Sequence, residues 1–328
     1  GYALHLGETP TPTKAAEPAL DPAMSAREAL GVILSDGVAQ LLANEAVVED
    51  GTDPEGVHQA RVAVRRTRAA LSAFKPVIER GPRKPLARKL RWLQQALGPA
   101  RDWDVFLEET LGPVLKAAPE SEGLRGLEKR SAKRRTKGYK QALKAIHSKR
   151  YQRLLIALEG WVFTDNPDAE RRAVGGFAQD LLEARYRAVL TDGGADPTAL
   201  PTEALHRLRI EIKKLRYAVE FFRSLYAPDE VAGFLQAVKK LQDCLGGLND
   251  AVVAHRLLQD LAGGAEDPAR VLDADAVRAI EAAQAEKIET GLAKLSAMWA
   301  RFGEQPVFWE SAAEAPPVSP APAGARSG

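Results

Sequence analysis

The chain has 328 residues, is 45% apolar and 27% charged, and contains a single cysteine, Cys244. This composition is typical of a globular protein with one large or two smaller domains, and it excludes a scaffold held together by internal disulfides. No apolar run approaches the roughly 18 residues that cross a bilayer. We therefore expect a cytoplasmic protein that does not have a membrane as its partner.

The net charge of +2 conceals a very uneven distribution of charge along the chain. Residues 57–154 contain 25 Lys and Arg against 8 Asp and Glu, a balance of +17, and the rest of the chain carries −15. Clustered like charges repel one another unless a partner offsets them, so this segment suggests an anionic ligand. A run of charge is also typical of a solvated helix face, and composition does not separate the two interpretations.

Eight helices are predicted between two segments that have no core-forming pattern. Residues 1–23 are interpreted as a Pro- and Thr-rich linker or the end of an upstream domain, and residues 311–328 as a Pro- and Ala-rich tail; we expect both to be disordered. Between them apolar residues recur at steps of three and four, without the alternation of a strand. The predicted helices span 24–48, 54–79, 83–111, 120–160, 167–190, 202–226, 229–262 and 270–302.

A shift of 148 residues aligns the second half of the chain with the first. The shift pairs His58 with His206, Arg61 with Arg209, Arg65 with Lys213, Arg66 with Lys214, Arg68 with Arg216 and Phe74 with Phe222. It also pairs Leu93, Gln94, Leu97, Gly98, Asp102 and Val105 with Leu241, Gln242, Leu245, Gly246, Asp250 and Val253. The agreement at one register predicts an all-α protein of two four-helix bundles, residues 24–163 and 167–302.

The second and sixth predicted helices each carry a basic stripe beside their core-facing side. On the second helix the stripe falls within an arc of about 80°, and it borders the apolar face instead of lying opposite it. The sixth helix repeats this arrangement. The two stripes consist of His58, Arg61, Arg65 and Arg68, and of His206, Arg209, Lys213 and Arg216. We therefore place the charge in a groove or a cavity between the bundles.

Further basic side chains align on the third, fourth and seventh predicted helices. They are Lys84, Arg88 and Arg91, then Arg130, Arg134 and Lys137, then Lys239 and Lys240. The second half is less basic, because Ala232 and Gln236 occupy the positions equivalent to Lys84 and Arg88. Arg presents a planar fork to phosphate oxygens and Lys a mobile point charge, so a mixed stripe suits a phosphate chain.

The two histidines of the stripes admit two interpretations. A single His on a helix is most often a satisfied polar group, whereas two at equivalent positions, each three residues before an Arg, favour ligand contact. With an ordinary pKa of about 6.5, each would add positive charge as the pH falls.

The paired blocks "VHQARVAVRRTRAALSAF" with "LQQALGPARDWDV", and "LHRLRIEIKKLRYAVEFF" with "LQDCLGGLNDAVV", resemble the CHAD family, the conserved histidine α-helical domain. The resemblance implies two four-helix bundles related by a pseudo-twofold, with a basic central cavity that binds inorganic polyphosphate. With the stripes of the other helices, the expected ligand set is His58, Arg61, Arg65, Arg66, Arg68, Lys84, Arg88, Arg91, Arg130, Arg134, Lys137, His206, Arg209, Lys213, Lys214, Arg216, Lys239 and Lys240. Asp102 and Asp250 are expected to be structural.

The opening "GYALHL" is similar to the end of a CYTH triphosphatase domain, which often precedes CHAD in bacterial fusion proteins. This second resemblance implies that a triphosphatase domain precedes the chain in the full protein. Within the chain we find no Gly-rich phosphate loop, no HExxH and no alternating-carboxylate strand, so we predict no catalytic residues, no metal site and no cofactor.

Non-catalytic polyphosphate binding is accordingly the leading hypothesis, with polyphosphate granules in the cytoplasm as a place of association. A nucleic-acid-binding helical module is the first alternative; it is disfavoured because single-strand readers add aromatic stacking platforms, and only Trp103, Tyr139 and Tyr151 lie near the stripes. A helical scaffold for an acidic protein is the second. The sequence determines neither the oligomeric state nor the preferred phosphate chain length.

Overall fold

The computed structural model describes residues 10–78, 80–163 and 172–311. The "GYALHL" segment, most of the expected boundary between the two bundles and nearly all of the expected C-terminal tail lie outside these residues. The predictions made for those three segments therefore stay predictions.

The described residues form helices joined by loops and turns, without a β-strand, which confirms the all-α prediction. The α-helices are α1 (Ala26–Asp50), α2 (Pro54–Ala73), α3 (Arg80–Val105), α4 (Gly112–Ala117), α5 (Glu122–Ile146), α6 (Lys149–Phe163), α7 (Val174–Gly193), α8 (Thr202–Phe222), α9 (Pro228–Cys244), α10 (Gly246–Leu261), α11 (Ala274–Gly303) and α12 (Phe308–Ser311). A π-helical turn, Phe106–Leu111, joins α3 to α4.

Local sequence signals explain where the first two helices begin and end. Ser25 caps α1 by accepting from the backbone N–H of Glu28, whose carboxylate in turn accepts from the backbone N–H of Ser25 at 2.7 Å. Gly51 ends α1 in the left-handed region at φ 69°, which costs a glycine little. Asp53 then caps α2, and Pro54 occupies its first turn. The strongly basic α2 is thus fixed in register directly after α1.

Two of the predicted helices are wrong, because each consists of two helices in the structure. The predicted helix 120–160 breaks at His147 and Ser148, where the Ser148 hydroxyl accepts from the backbone N–H of Tyr151 at 3.2 Å and starts α6. The predicted helix 229–262 breaks at Leu245, just before the pair Gly246 and Gly247. Apolar residues recur at the helical spacing on both sides of each break, so periodicity alone does not reveal where the helices end.

The two predicted bundles share one hydrophobic core. In the first half α1 packs on α2 and α3 packs on α5; in the second half α7 packs on α8 and α9 on α11. The basic helices α2 and α8 pack against each other across the halves. At this junction the rings of Phe74, Phe177 and Phe222 form a cluster, with Phe177 at 4.8 Å from Phe74 and 6.2 Å from Phe222 between ring centroids. Each of the three is buried.

A second cluster of buried side chains also joins the halves, at the opposite end of α3. Trp103, Phe106 and Leu124 from the first half pack with Leu258 and Ile280 from α10 and α11. These contacts bring α10 against the C-terminal part of α3. That placement forms one wall of the cleft described below.

The described part of the expected N-terminal linker is docked on the helices, so the prediction of disorder is wrong for residues 10–23. The backbone N–H of Thr13 donates to the side chain of Asn44 at 3.0 Å, and that of Leu20 donates to the Ser224 hydroxyl at 3.0 Å. Pro18 and Leu20 are buried. A Pro-rich segment can dock in this way when polar side chains satisfy its backbone and a few apolar residues are covered.

Among the described helices, α1 alone is long and apolar enough to cross a membrane by length and composition, with a mean hydropathy of 1.2 over 18 residues. The sequence predicted no such stretch. Of that window, 56% is buried inside the protein, and Leu30, Leu34 and Leu41 belong to the core. A helix buried in a protein core can meet the same length and composition criteria as a membrane-spanning helix.

Candidate ligand-binding site

Two connected depressions follow the outer face of α3. The first, called the cleft, has a volume of about 840 Å³ and lies between α2, α3 and α10. The second, called the hairpin pocket, has a volume of about 450 Å³ and lies where α2 and α3 form a helical hairpin. The charged residues of the cleft are Arg61, Arg68, Arg91, Asp102, Arg256 and Asp260, and those of the hairpin pocket are Arg68, Arg83, Lys84, Arg88 and Arg91.

The basic stripe of α2 reaches the cleft because its neighbouring face is fixed in the core. Val57 and Val64 are completely buried, so the register of α2 leaves the Arg61 side chain directed along α3. Gly98 of α3 provides the space: a Cβ at this position would lie 3.1 Å from Nη1 of Arg61. Close packing of α5 on α3 is likewise made possible by Gly138, where a Cβ would lie 2.7 Å from the backbone N of Ala100.

Asp102 lies between two arginines at the inner end of the cleft. Its Oδ1 is 3.3 Å from Nη2 of Arg61, and its Oδ2 accepts from Nη2 of Arg256 at 2.7 Å. Burial lowers the pKa of Arg61 from its ordinary value, while the charge of Asp102 opposes this effect. The carboxylate therefore holds two cations from different halves of the chain in one place, which fits the expectation that Asp102 is structural.

Lys213 of α8 lies at the centre of the basic residues from both halves. Burial, followed by the positive charges of Arg209, Arg65, Arg216 and Arg61, lowers the pKa of Lys213 to about 8. Among the described residues, none of the carboxylates comes within ion-pair distance of its ammonium. The Nε atoms of Arg65 and Arg209 are buried without a hydrogen-bond partner. This group of cations is called the central cluster: Arg61, Arg65, Arg209, Lys213 and Arg216.

Two contacts in the site recur at the offset of 148 residues. Arg68 of α2 donates to the Gln94 side chain, and Arg216 of α8 donates to that of Gln242 at 2.9 Å. In addition, Arg209 donates to the side chain of Asn249 at 3.3 Å, next to Asp250. Gln94 and Gln242, which occupy aligned positions, therefore hold Arg68 of α2 and Arg216 of α8 in equivalent ways.

Apart from His58, five of the predicted ligand residues on α2, α8 and α9 belong neither to the cleft, nor to the hairpin pocket, nor to the central cluster. Arg66 pairs with Glu220 at 3.5 Å and lies over the ring of Phe221. Lys214 pairs with Glu211 on its own helix at 2.5 Å. The remaining three are exposed: His206, Lys239 and Lys240. Helix geometry accounts for Arg66, since it is turned by about 100° from its neighbour Arg65.

The predicted stripe of α5 reaches only the rim of the cleft. Nε of Arg134 lies 3.2 Å from Asp260, which lines the cleft. Arg130 and Lys137 share that face of α5 and are exposed, but they do not line either depression. The stripe thus adds positive potential near the opening.

The two stripe histidines have different surroundings. His58 is half-buried, and burial together with the charge of Arg101 lowers its pKa below the ordinary 6.5; Arg65 and Arg61 act in the same direction, and Glu55 opposes them. His206 is exposed on α8. The two histidines are therefore equivalent in sequence but lie in different environments.

Three arginines of the site were missed by the sequence analysis. Arg101 acts on His58 and on Arg61, and its position is equivalent to Asn249 in the repeated block, so the alignment contained a signal for it. Arg83 lines the hairpin pocket one position before the predicted stripe. Arg256 lies beyond the aligned blocks and enters the cleft only because α10 packs on α3.

In the parts of the chain that the structure describes, groups of three or more His, Cys, Asp or Glu suited to a metal ion are absent. The carboxylates nearest the cations are engaged by arginine or lysine, as with Asp102 and with Asp250, which accepts from Lys287 at 3.0 Å. The arrangement is one of cations that can hold an anion.

Comparison with protein families matches the CHAD domain to residues 32–259 of this chain. Two relatives, the uncharacterized proteins MT2285 and Rv2226 from Mycobacterium tuberculosis strains CDC 1551 and H37Rv, are 32% identical over 236 residues. The match covers 69% of this chain and 44% of each relative, so the chain spans less than half the length of these curated relatives.

Among solved structures, the CHAD domain from the plant Ricinus communis is similar, with a TM-score of 0.75 and 32% sequence identity over 90% of this chain and 97% of that chain. PptA from Streptomyces chartreusis has a TM-score of 0.58 and 18% identity, covering 84% of this chain and 99% of its own. The second likeness concerns the fold alone.

Proposed function

The chain belongs to the CHAD domain family, and on that premise we propose that it binds inorganic polyphosphate through the central cluster and the cleft. The observation that carries the proposal is the environment of Lys213, a half-buried ammonium among four arginines with no carboxylate within ion-pair distance in the described structure. Such an arrangement is unfavourable in the free protein. A polyanion would relieve both the repulsion and the lost solvation.

The geometry favours a phosphate polymer over a single defined anion. Guanidinium groups of α2 and α8 face the same region from both halves, and each can bind two phosphate oxygens at once. Lys213 adds a mobile point charge at the centre. Release of counterions from the polymer would contribute much of the affinity, as it does for nucleic acids.

We assign the chain a binding role and no reaction. The carboxylates next to the central cluster are held in ion pairs with cations, as in Arg61–Asp102, which leaves them unsuited to proton transfer or to metal ligation. An upstream triphosphatase domain, and an association with polyphosphate granules in the cytoplasm, belong to the same proposal. The unmatched length of the mycobacterial relatives leaves room for a further domain in a longer protein.

RNA is less well suited to this site than polyphosphate. The aromatic residues that could have stacked on bases, Trp103, Tyr139 and Tyr151, are 3%, 7% and 3% exposed. The hydroxyl of Tyr139 donates to Asp104 at 3.0 Å, and that of Tyr151 donates to Glu45 at 2.6 Å. Without an accessible ring, the stacking contribution of about 1–3 kcal/mol per base is lost.

The proposal is tested by calorimetric titration of the chain with long-chain polyphosphate at two salt concentrations, beside single-stranded RNA of matched phosphate content. We expect submicromolar, salt-sensitive binding of polyphosphate that RNA does not match. Equal binding of RNA would support a nucleic-acid module instead. Weak binding of both, without an increase in melting temperature, would favour an acidic protein as the partner.

A further inference from the structure

The hairpin pocket differs from the cleft in its electrostatic composition. Its described lining includes four arginines and one lysine, together with the hydroxyl-bearing Ser72, and no carboxylate among the residues that the structure describes. The cleft includes Asp102 and Asp260, which offset part of its positive charge. The smaller depression is therefore the more strongly cationic of the two for its size.

The described protein satisfies only part of the hydrogen-bonding capacity of the hairpin-pocket cations, as where Arg68 donates to Gln94. Nε of Arg83 is buried and has no hydrogen-bond partner. Burial lowers the pKa of Arg68, and the neighbouring charge of Arg91 lowers it further. Lys84 and Arg88 are exposed, and both are free to turn toward an anion. Buried donors without partners are uncommon in native structures and call for an explanation such as a ligand.

The hairpin pocket is continuous with the cleft. Arg68 and Arg91 line both depressions. Along α3, Lys84, Arg88, Arg91, Gln95 and Asp102 share one face, and at 1.5 Å per residue this face extends for about 27 Å from Lys84 to Asp102. An anion that fills both depressions must therefore be extended, and a phosphate oligomer of two or three units is too short.

The cations of the hairpin pocket are not repeated at the equivalent positions of the second half. At the offset of 148 residues, Arg83, Lys84 and Arg88 correspond to Val231, Ala232 and Gln236. Val231 is 2% exposed and belongs to the core. The extension of the cationic surface thus lies at one end of the molecule only.

We propose that the hairpin pocket is a second anion subsite, which binds a distal segment of a long polyphosphate chain whose other segment occupies the cleft. The inference rests on the proposed function and adds two properties to it. Long chains are bound more tightly than short chains, and the bound chain leaves the central cluster toward the α2–α3 hairpin. Linking two subsites through one ligand raises affinity because the second contact becomes intramolecular.

The test compares the wild type with the double variant Lys84→Gln and Arg88→Gln in titrations with long-chain polyphosphate and with tripolyphosphate. Both side chains are exposed, so the variant should fold, and circular dichroism checks this. We expect long-chain affinity to fall about tenfold, and the slope of log K against log salt to decrease by about two for the two lost contacts. Tripolyphosphate affinity should stay within about twofold.

A matched control removes two exposed cations from the second half, Arg187→Gln and Lys294→Gln, and should leave long-chain affinity within about twofold. Equal losses for both ligands in the test variant, or the same loss in the control, would overturn the subsite in favour of a general field effect. Unchanged long-chain affinity would overturn it as well. If the wild type binds neither ligand, the proposed function itself fails. If the wild type and the test variant bind long chains equally well, only the subsite fails, because the cleft alone then binds the polymer.

Discussion

The rings of Phe74 and Phe222, which occupy equivalent positions in the two halves of the sequence, lie in contact with 5.5 Å between their centroids. Phe74 directly follows α2 and Phe222 is the last residue of α8, and each is completely buried. The contact explains how α2 and α8 are held side by side, and hence how cations far apart in sequence meet in one cluster. The two halves depend on each other at this point.

Phe74→Ala should lower the free energy of unfolding by about 3–5 kcal/mol, because a large buried ring is replaced by a cavity at the junction. Urea unfolding followed by circular dichroism and by tryptophan fluorescence measures the change. Since the core is shared, both probes should report one transition. Val252→Ala, at a side chain that is 68% exposed, is the control and should change stability by less than about 0.5 kcal/mol. Two separated transitions in the wild type would contradict a shared core.

Asp102→Asn should tighten polyphosphate binding about fivefold, because the carboxylate competes with phosphate for Arg61 and Arg256 and repels the polymer. Titration calorimetry at constant salt measures the change. Asp275→Asn, at an exposed carboxylate paired with Arg278, is the matched control and should have no effect on affinity. Weaker binding by Asp102→Asn would mean that the carboxylate mainly positions the two arginines for the ligand.

Lys213→Met should stabilise the ligand-free protein by about 1 kcal/mol and weaken polyphosphate binding, because it removes a half-buried cation whose charge the ligand offsets. The pKa of Lys213 is about 8 in the folded protein against an ordinary 10.5, so the unfolded chain binds more protons between these values. The wild type should therefore gain stability relative to the variant as the pH rises from 8 to 10. Urea unfolding at pH 7, 8, 9 and 10 tests this, and parallel profiles would show that Lys213 is not perturbed.

The same lysine predicts proton uptake on ligand binding at pH 8, since a bound polyanion favours its charged form. Titrations at that pH in buffers of different ionisation enthalpy should give different observed heats. In Lys213→Met the dependence on buffer should be much reduced. An identical buffer dependence in the two proteins would assign the proton to another group.

His58→Gln should make the ligand-free protein less sensitive to acid. The pKa of His58 lies below its ordinary 6.5 because of burial and Arg101, so below pH 6.5 the unfolded chain takes up a proton that the folded chain does not. Wild-type stability should consequently fall as the pH decreases through 6.5, and more steeply than in the variant. Thermal melts between pH 8 and 5.5 measure the difference, with His206→Gln as the repeat-matched control at an exposed position. A larger effect at His206 would contradict this assignment.

The sequence predicted the all-α class, the alignment of α2 with α8, and the placement of Arg61 and Lys213 beside the core face. These features depend on local rules, namely the 3.6-residue period and agreement between two segments at one offset. It did not predict the break at Leu245 or the docking of residues 13–20. Both depend on which backbone groups find partners in distant parts of the chain, as Leu20 does with Ser224.

Which side chains carry charge, and on which side of each helix they lie, follows from the sequence alone, because helical geometry converts spacing into direction. Which of those charges meet depends on the tertiary structure. It pairs Arg66 of α2 with Glu220 of α8, brings Arg256 from α10 to Asp102, and places Lys213 among arginines of both halves with no described carboxylate at ion-pair distance. Contacts of this kind follow from the packing of whole helices, and the energy of a charge depends on burial and on neighbours that spacing along one helix does not specify.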